Sequence, residues 1–401
     1  MGGVYVHVPF CVRKCRYCDF VSYPRARFDG QIHSYLQGVI AEAQLRAEEI
    51  RHAAPVQSMY IGGGTPTVVA PGDLASFIEA LRDAVNPAAV CEFTVETNPA
   101  AVDLDGLVAL RRAGVNRLSI GFQSLDDSEL AALGRAHSAQ DCVEVFRSAR
   151  EAGFDNINID LMLGIPGQTS ASLAATVSRA LSLCPEHVSA YCLILEDGTP
   201  LARDVAEGAV VLPSDDETAD FYEWFVETSG DAGYRRYEIS NFCLPGKECA
   251  HNIMYWENGD YIGLGVAAHS HLGRGALAHS NSLQYECGDS GADLASAVRW
   301  WNGESTQDYL AMLNAGAAPA VGREHRTPMG EASDALMLGL RMARGVDLLA
   351  LGAEYDLDLV SEFGPRFARL SDRGLLCLDG ARACLTARGF LLANIVFREC
   401  V

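Results

Sequence analysis

Cys11, Cys15 and Cys18 stand in a C-x3-C-x2-C spacing within one short segment, close enough for three thiolates to converge on one metal centre. Two centres suit such a set. A [4Fe–4S] cluster held by three cysteines keeps one iron without a protein ligand, open to a small molecule and able to pass it an electron. Zinc is the alternative, but a closed structural zinc site takes four ligands, and no fourth Cys or His lies at finger spacing. Gly62-Gly63-Gly64-Thr65-Pro66-Thr67 lets bare backbone approach a ligand that any Cβ would hold away. Taken alone it is equally an ordinary strand-to-helix turn, and it lacks the lysine of a phosphate loop. Glu96, within Glu96-Thr97-Asn98-Pro99, is placed to accept hydrogen bonds from sugar hydroxyls. Gln123, Arg135 and Asp160 are further polar candidates, and no residue is singled out as a catalytic acid, base or nucleophile.

These residues need a scaffold that gathers them, and the pattern up to about residue 200 supplies one. Short β-type runs are predicted at Val4 to Val8, Ser58 to Ile61, Cys91 to Val95, Asn116 to Ile120, Asn156 to Asp160 and His187 to Leu193. Helical stretches are predicted between them at Phe28 to Arg51, Pro71 to Ala84, Leu104 to Ala113, Ala139 to Ala152 and Ser170 to Ser182. Six β/α units predict an α/β fold, a partial TIM-like barrel, and the candidate residues fall at the C-terminal strand ends, the face that carries chemistry in such barrels. Residues 200 to 320 show no clear period. Thr327-Pro328 then starts a helix, a second covers Val360 to Leu370, and Leu375 to Leu378, Asp379-Gly380 and Ala383 to Leu385 read as a hairpin before a last helix from Ala387. The expected division is a core barrel over 1–240, a connector extending it over 241–320, and a small winged-helix-like α+β module over 321–401.

The cysteine loop after the first strand resembles the hallmark of the radical S-adenosylmethionine (SAM) superfamily, and the other elements follow in that family's order. The resemblance implies a [4Fe–4S] cluster on Cys11, Cys15 and Cys18 whose free iron is chelated by SAM, with electron transfer breaking the sulfonium bond to give a 5′-deoxyadenosyl radical. It places Gly63, Gly64 and Thr65 at the SAM amino group, Glu96 at the ribose, and Tyr5, Tyr17, Gln123, Arg135 and Asp160 at the same cofactor site. Longer strings, from Tyr5 to Cys11, from Ser119 to Ser124 and from Leu161 to Thr169, are similar to the oxygen-independent coproporphyrinogen oxidase group. True coproporphyrinogen III dehydrogenases of that group carry a further cysteine where this chain has Phe20. His251-Asn252-Ile253-Met254-Tyr255-Trp256 is similar to the H-N-x-x-Y-W string of the group's haem chaperone branch. A histidine among aromatic residues can offer imidazole to haem iron while the rings cover the porphyrin. Composition alone would make it a packed histidine. The resemblance makes His251 the expected axial ligand, with His269 or His271 either its partner on the opposite haem face or a lining residue of the SAM pocket.

Composition limits the remaining classes. The 401 residues carry 31 basic and 52 acidic side chains, a net charge of −21 that repels phosphate backbones, so nucleic acid is not an expected partner. From 321 to 401 there are 10 basic and 11 acidic residues, which gives the C-terminal module no DNA-binding charge. The longest apolar runs, such as Phe390 to Phe397, fall far short of a membrane span. The thirteen cysteines and the absence of a signal-like start lead to an expected cytoplasmic location with reduced thiols. Two readings result: a haem chaperone that binds a cluster, SAM and haem and hands haem to a respiratory-type acceptor, touching a membrane only through that acceptor, or a catalytic radical SAM oxidase or methyltransferase.

Overall fold

The structure, a computed structural model, describes residues 1–28, 30–88, 91–277 and 296–401, so part of the irregular stretch, 278–295, lies outside the described residues. Its strands are β1 (Gly2–Val8), β2 (Phe10–Cys11), β3 (Tyr23–Pro24), β4 (Val56–Gly63), β5 (Glu92–Thr97), β6 (Arg117–Gln123), β7 (Ile157–Leu163) and β8 (His187–Cys192). They continue as β9 (Arg235–Arg236), β10 (Asn241–Cys243), β11 (Asp260–Leu264), β12 (His269–Gly273), β13 (Ala297–Asn302), β14 (Ala320–Arg326), β15 (Val346–Asp347), β16 (Leu376–Asp379) and β17 (Arg382–Leu385). One twelve-stranded sheet runs in the order β14-β13-β12-β11-β1-β4-β5-β6-β7-β8-β10-β9. Its centre, from β11 through β1 and β4 to β8, is parallel, and its flanks are antiparallel. The sheet stays open, since β14 and β9 form its two edges. This is the expected partial α/β barrel.

The alternation of β1 shows why the strands lie as they do. Val4, Val6 and Val8 are buried with Tyr35, Leu36 and Val39 of the helix Ile32–Leu45, and burying each such side chain contributes about 1.5–3 kcal/mol. Tyr5 and His7 therefore face the opposite, concave side. The helices Pro71–Val85, Leu104–Arg112, Ala139–Glu151 and Ser170–Ser182 match the predicted stretches. The stretch predicted as Phe28 to Arg51 is two helices, Ile32–Leu45 and Ala47–His52, because Arg46 leaves helical geometry (ψ 11°) as its guanidinium packs 5.1 Å from the Trp300 ring.

Residues 200 to 320 are more ordered than their pattern suggests. A 17-residue helix, Asp215–Asp231, lies there with a capping box between Ser214 and Glu217, and Phe221, Tyr222 and Phe225 form its buried stripe. Strands β11 to β14 extend the sheet past β1. The C-terminal module has its own apolar core, including Leu336, Phe363, Phe367, Leu376 and Val396, around the helices Pro328–Gly339 and Leu359–Asp372 and the small sheet β15-β17-β16. A helix the sequence reading passed over, Leu348–Tyr355, is capped by Asp347.

Candidate functional site

Every parallel strand from β1 to β8 ends on one side of the sheet, and there a cavity of about 360 Å³ opens. Cys11, Cys15, Cys18, Tyr17, Gly63, Gly64, Thr65, Glu96, Gln123, Arg135 and Asp160 all line it. The fold thus brings together eleven of the thirteen residues singled out in the sequence.

The cysteine loop is tied down at several points. Arg16 N–H donates to Leu133 O (3.1 Å), Leu201 N–H donates to Arg16 O (2.9 Å), and the Arg16 guanidinium pairs with Asp204. Hydrogen-bond donors reach the sulfurs: Thr65 Oγ1 lies 3.6 Å from Cys11 Sγ, and Arg135 Nη1 lies 3.5 Å from Cys15 Sγ. Burial pushes the Cys11 and Cys18 thiols up, while Thr65 pulls Cys11 back toward the thiolate. Among the described residues, no three His, Cys, Asp or Glu side chains are gathered as tightly as a single ion requires. Three half-buried cysteines around one cavity wall, with a guanidinium and a hydroxyl aimed at their sulfurs, fit the broader, anionic [4Fe–4S] group.

The glycine turn has a cause beyond ligand approach. A Cβ on Gly63 (φ +99°) would lie 2.5 Å from the His7 imidazole, and one on Gly64 would lie 2.7 Å from the carbonyl oxygens of Val8 and Phe10. The turn is therefore pressed against the strand that leads into the cysteines, with Gly64 N–H donating to Val8 O and Thr65 N–H to Phe10 O. Gly62 leaves room for Glu96, whose carboxyl carbon would be 2.7 Å from a Cβ there.

Glu96 accepts from Tyr60 Oη (2.8 Å) and from Gly63 N–H (3.1 Å), so each carboxylate oxygen keeps a lone pair for a ligand. Burial raises its pKa to about 7, against the pull of the Tyr60 hydroxyl. Asp160 accepts from Asn158 Nδ2 (2.7 Å) and Ser119 Oγ (3.2 Å), and burial raises its carboxyl as well. Gln123 holds φ +67° at a break in the β6–β7 register, a backbone state that non-glycine residues adopt at some cost and that turns its amide toward the cavity. Arg135 also donates to Gly121 O (2.7 Å), which fixes its guanidinium between β6 and the cysteine loop.

Tyr5 and His251 do not line this cavity. The Tyr5 hydroxyl bonds His7 Nδ1 (3.0 Å) on the same concave face. His251 lies in the helix Ala250–Trp256, 1% exposed, with Nδ1 bonded to Ser58 Oγ (2.9 Å) and Nε2 to Tyr255 Oη (3.2 Å). Its ring stacks on Tyr60 at 5.2 Å, and burial lowers its pKa to about 3. Both ring nitrogens of His251 are thus engaged by hydroxyl groups within the fold. Its contact with Tyr60 places it beneath Glu96. His271, a fallback, is equally engaged, by Gly259 O and Glu331.

Arg13, Phe20, Ser22, Tyr60, Thr97, Asn98, Ser119, Gly121, Met162 and Tyr191 complete the cavity wall, and of these the sequence singled out Phe20 by itself. Strand period would have found two of them: Tyr60 lies two residues before Gly62 on β4, and Ser119 four before Gln123 on β6. Phe20 is 69% exposed at the cavity edge.

The Radical SAM superfamily model matches residues 5–180, and the HemN C-terminal domain model matches residues 328–392. The chain is similar to the haem chaperone HemW of Mycobacterium tuberculosis, 35% identical over 99% of this chain and 94% of that protein. HemW of Bacillus subtilis is 32% identical over 99% and 98% of the two chains, and HemW of Escherichia coli is 36% identical over 67% and 69%. Among solved structures, coproporphyrinogen III oxidase (HemN) from Escherichia coli, a radical SAM enzyme, superposes with a TM-score of 0.80 at 24% identity, covering 100% of this chain and 89% of that one. That likeness speaks for the fold.

Proposed function

The chain belongs to the HemW family of the radical SAM superfamily, and on that premise we propose that it is a haem chaperone, one that binds a [4Fe–4S] cluster and SAM at the barrel mouth and delivers haem to an acceptor protein. The observation that carries this reading is the near-full-length match to relatives named as haem chaperones. The donor set described above supports the cofactor site. Cys11, Cys15 and Cys18 would hold the cluster, with Thr65 and Arg135 hydrogen-bonding its sulfur ligands. Gly63, Gly64, Glu96, Gln123 and Asp160 would line the seat of SAM, Glu96 accepting from ribose hydroxyls. When bound, such a cluster supplies an open iron and an electron to SAM. Tyr17 closes the wall beside the loop, and Tyr5 and Tyr60 support Glu96 and the glycine turn from below.

A reducing, cytoplasmic setting suits the free thiols of the described cysteines, and no helix among the described residues is long and apolar enough to cross a membrane. Any contact with a membrane would come through the haem acceptor. The test is to reconstitute the protein anaerobically and divide it. One portion receives haem, the other coproporphyrinogen III with SAM and reductant. Stoichiometric haem binding and transfer to an apo-cytochrome, without decarboxylation, is the expected result; rapid loss of propionate carboxyls from the second portion would replace the chaperone reading with the oxidase one.

A further inference from the structure

Nine described cysteines lie outside the cluster loop, and burial divides them. Cys142, Cys243, Cys249 and Cys400 are enclosed in the packed interior, where burial pushes each thiol up to about 12. Thiols so raised stay protonated and inert. Cys377 and Cys384 differ in access and in company. They face each other as register partners in the hairpin of β16 and β17, Cys377 exposed and Cys384 half-buried. Among the described cysteines no other two are register partners.

The hairpin sets both their distance and their direction. The neighbouring pair on the ladder, Leu376 and Leu385, is buried in the core of the C-terminal module. Alternation then turns Cys377 and Cys384 together onto the outer face. Directly opposed residues of an antiparallel pair lie about 4.5–5.5 Å apart at Cα, inside the range of roughly 4.4–6.8 Å that a disulfide spans. Cys384 Sγ donates to Arg344 O (3.2 Å), and Arg382 Nη1 donates to the same carbonyl (3.1 Å), so that oxygen stays paired when the thiol proton is gone. Burial pushes the Cys384 thiol up, while the Arg382 guanidinium pulls it back toward the thiolate. Cys377 is therefore the sulfur that a reagent in solvent meets first, with Cys384 waiting beside it.

We propose that Cys377 and Cys384 form a reversible redox site, a dithiol that a small-molecule disulfide such as oxidised glutathione converts into a cross-strand disulfide. The site is independent of the chaperone reading. The Cys377 thiolate attacks one glutathione sulfur, forming a mixed disulfide and releasing a glutathione thiolate. The Cys384 thiolate then attacks the Cys377 sulfur, closes the bond between the strands and expels the second glutathione thiolate. The two thiol protons of the protein pass to the two glutathiones released. The protein has lost two electrons and glutathione disulfide has gained them. The module that carries the pair has its own core and contributes no residue to the SAM cavity, so the reaction leaves the cluster loop untouched. Disulfides in reducing compartments are typically transient and redox-sensing, which suits a pair on an exposed hairpin.

The test uses the full chain with its cluster reconstituted, held anaerobically in buffers of rising oxidised-to-reduced glutathione ratio, then alkylated and digested with trypsin. Cleavage after Arg373, Arg382 and Arg388 puts the two cysteines on separate peptides, 374–382 and 383–388. Oxidised protein should yield these two peptides linked, and dithiothreitol should separate them, while cluster absorbance and SAM affinity keep their reduced-state values. Cys384→Ser should accumulate glutathione on Cys377, because the resolving thiolate is missing, and Cys377→Ser should leave Cys384 open to alkylation. Amide exchange across β16 and β17 should slow about tenfold when the wild type is oxidised and in neither variant. The assignment is overturned if the wild type holds glutathione on Cys377 without linked peptides, or if both thiols stay alkylatable in every buffer. Linkage that appears only after the cluster is lost overturns it equally.

Discussion

Glu96 sits where burial resists its charge while the Tyr60 hydroxyl and the Gly63 amide favour it, and the balance puts its pKa at about 7. Its folded value is thus raised above the roughly 4.3 of an unfolded glutamate, so between the two values the folded chain holds a proton that the unfolded chain releases. Stability on this account falls as pH rises through that window and is level above it. Ribose hydroxyls need the ionised acceptor, so SAM affinity should change in the opposite sense, strengthening several-fold between about pH 6 and pH 8. Equilibrium dialysis against pH would show this for the wild type, whereas Glu96→Gln should bind SAM weakly with a flat profile. A sloping profile in the Gln variant would assign the titration to another group. His251 illustrates the same scale: its imidazole stacks on Tyr60, whose hydroxyl holds Glu96.

Among the elements, the helix Pro328–Gly339 ties the C-terminal module to the sheet. Thr327 caps it, Pro328 opens it, and Glu331 and Asp334 fall three residues apart on the face turned to the sheet. Asp334 pairs with Arg299 of β13 (3.1 Å) and Arg326 of β14 (2.6 Å). Asp334→Ala leaves two partly buried guanidinium groups without their carboxylate, and the expected loss is about 1–3 kcal/mol in urea unfolding. The SAM cavity lies at the ends of β1 to β8, away from this join, so SAM affinity should be unchanged in that variant. The capping box at Ser214 and Glu217 was the one legible sign of the helix Asp215–Asp231; its moderate apolar stripe, mixed with Asp and Glu, hides the period that marks the barrel helices.

For the molecule as a whole, the join between sheet and C-terminal module contains a buried polar cluster that makes it sensitive to acid. Glu331, buried at 1% exposure, bonds His271 Nε2 (2.6 Å) and Asn258. Burial alone would raise its carboxyl, but the His271 hydrogen bond and charge, with Arg299, bring it below the ordinary value. A carboxylate lowered in the folded state contributes stability that is present above the unfolded pKa of roughly 4.3 and is lost as pH falls through the folded one. The module should accordingly loosen from the sheet in mild acid before the barrel unfolds. Limited proteolysis or hydrogen exchange between about pH 5 and pH 3 should show protection lost first across 327–401, and Glu331→Gln should remove that early step. Loss of barrel protection at the same pH would refute an acid-sensitive join.

The sequence by itself determined the six parallel strands, the helices between them and the C-terminal hairpin, because local period, caps and glycine turns are properties of neighbouring residues, whereas most of the eleven cavity residues came from the family resemblance of its strings. Strand polarity then requires that residues at the ends of parallel strands meet, so Cys11, Gly63, Glu96 and Gln123 were predictable companions although far apart in the chain. Only the tertiary structure shows what each histidine touches. The string around His251 marks it in sequence, but folding alone brings Ser58 and Tyr255 to its ring nitrogens and sets His269 at a strand end beside Trp301. Hydrogen-bond satisfaction depends on partners brought together by folding across many residues, and no local pattern encodes it.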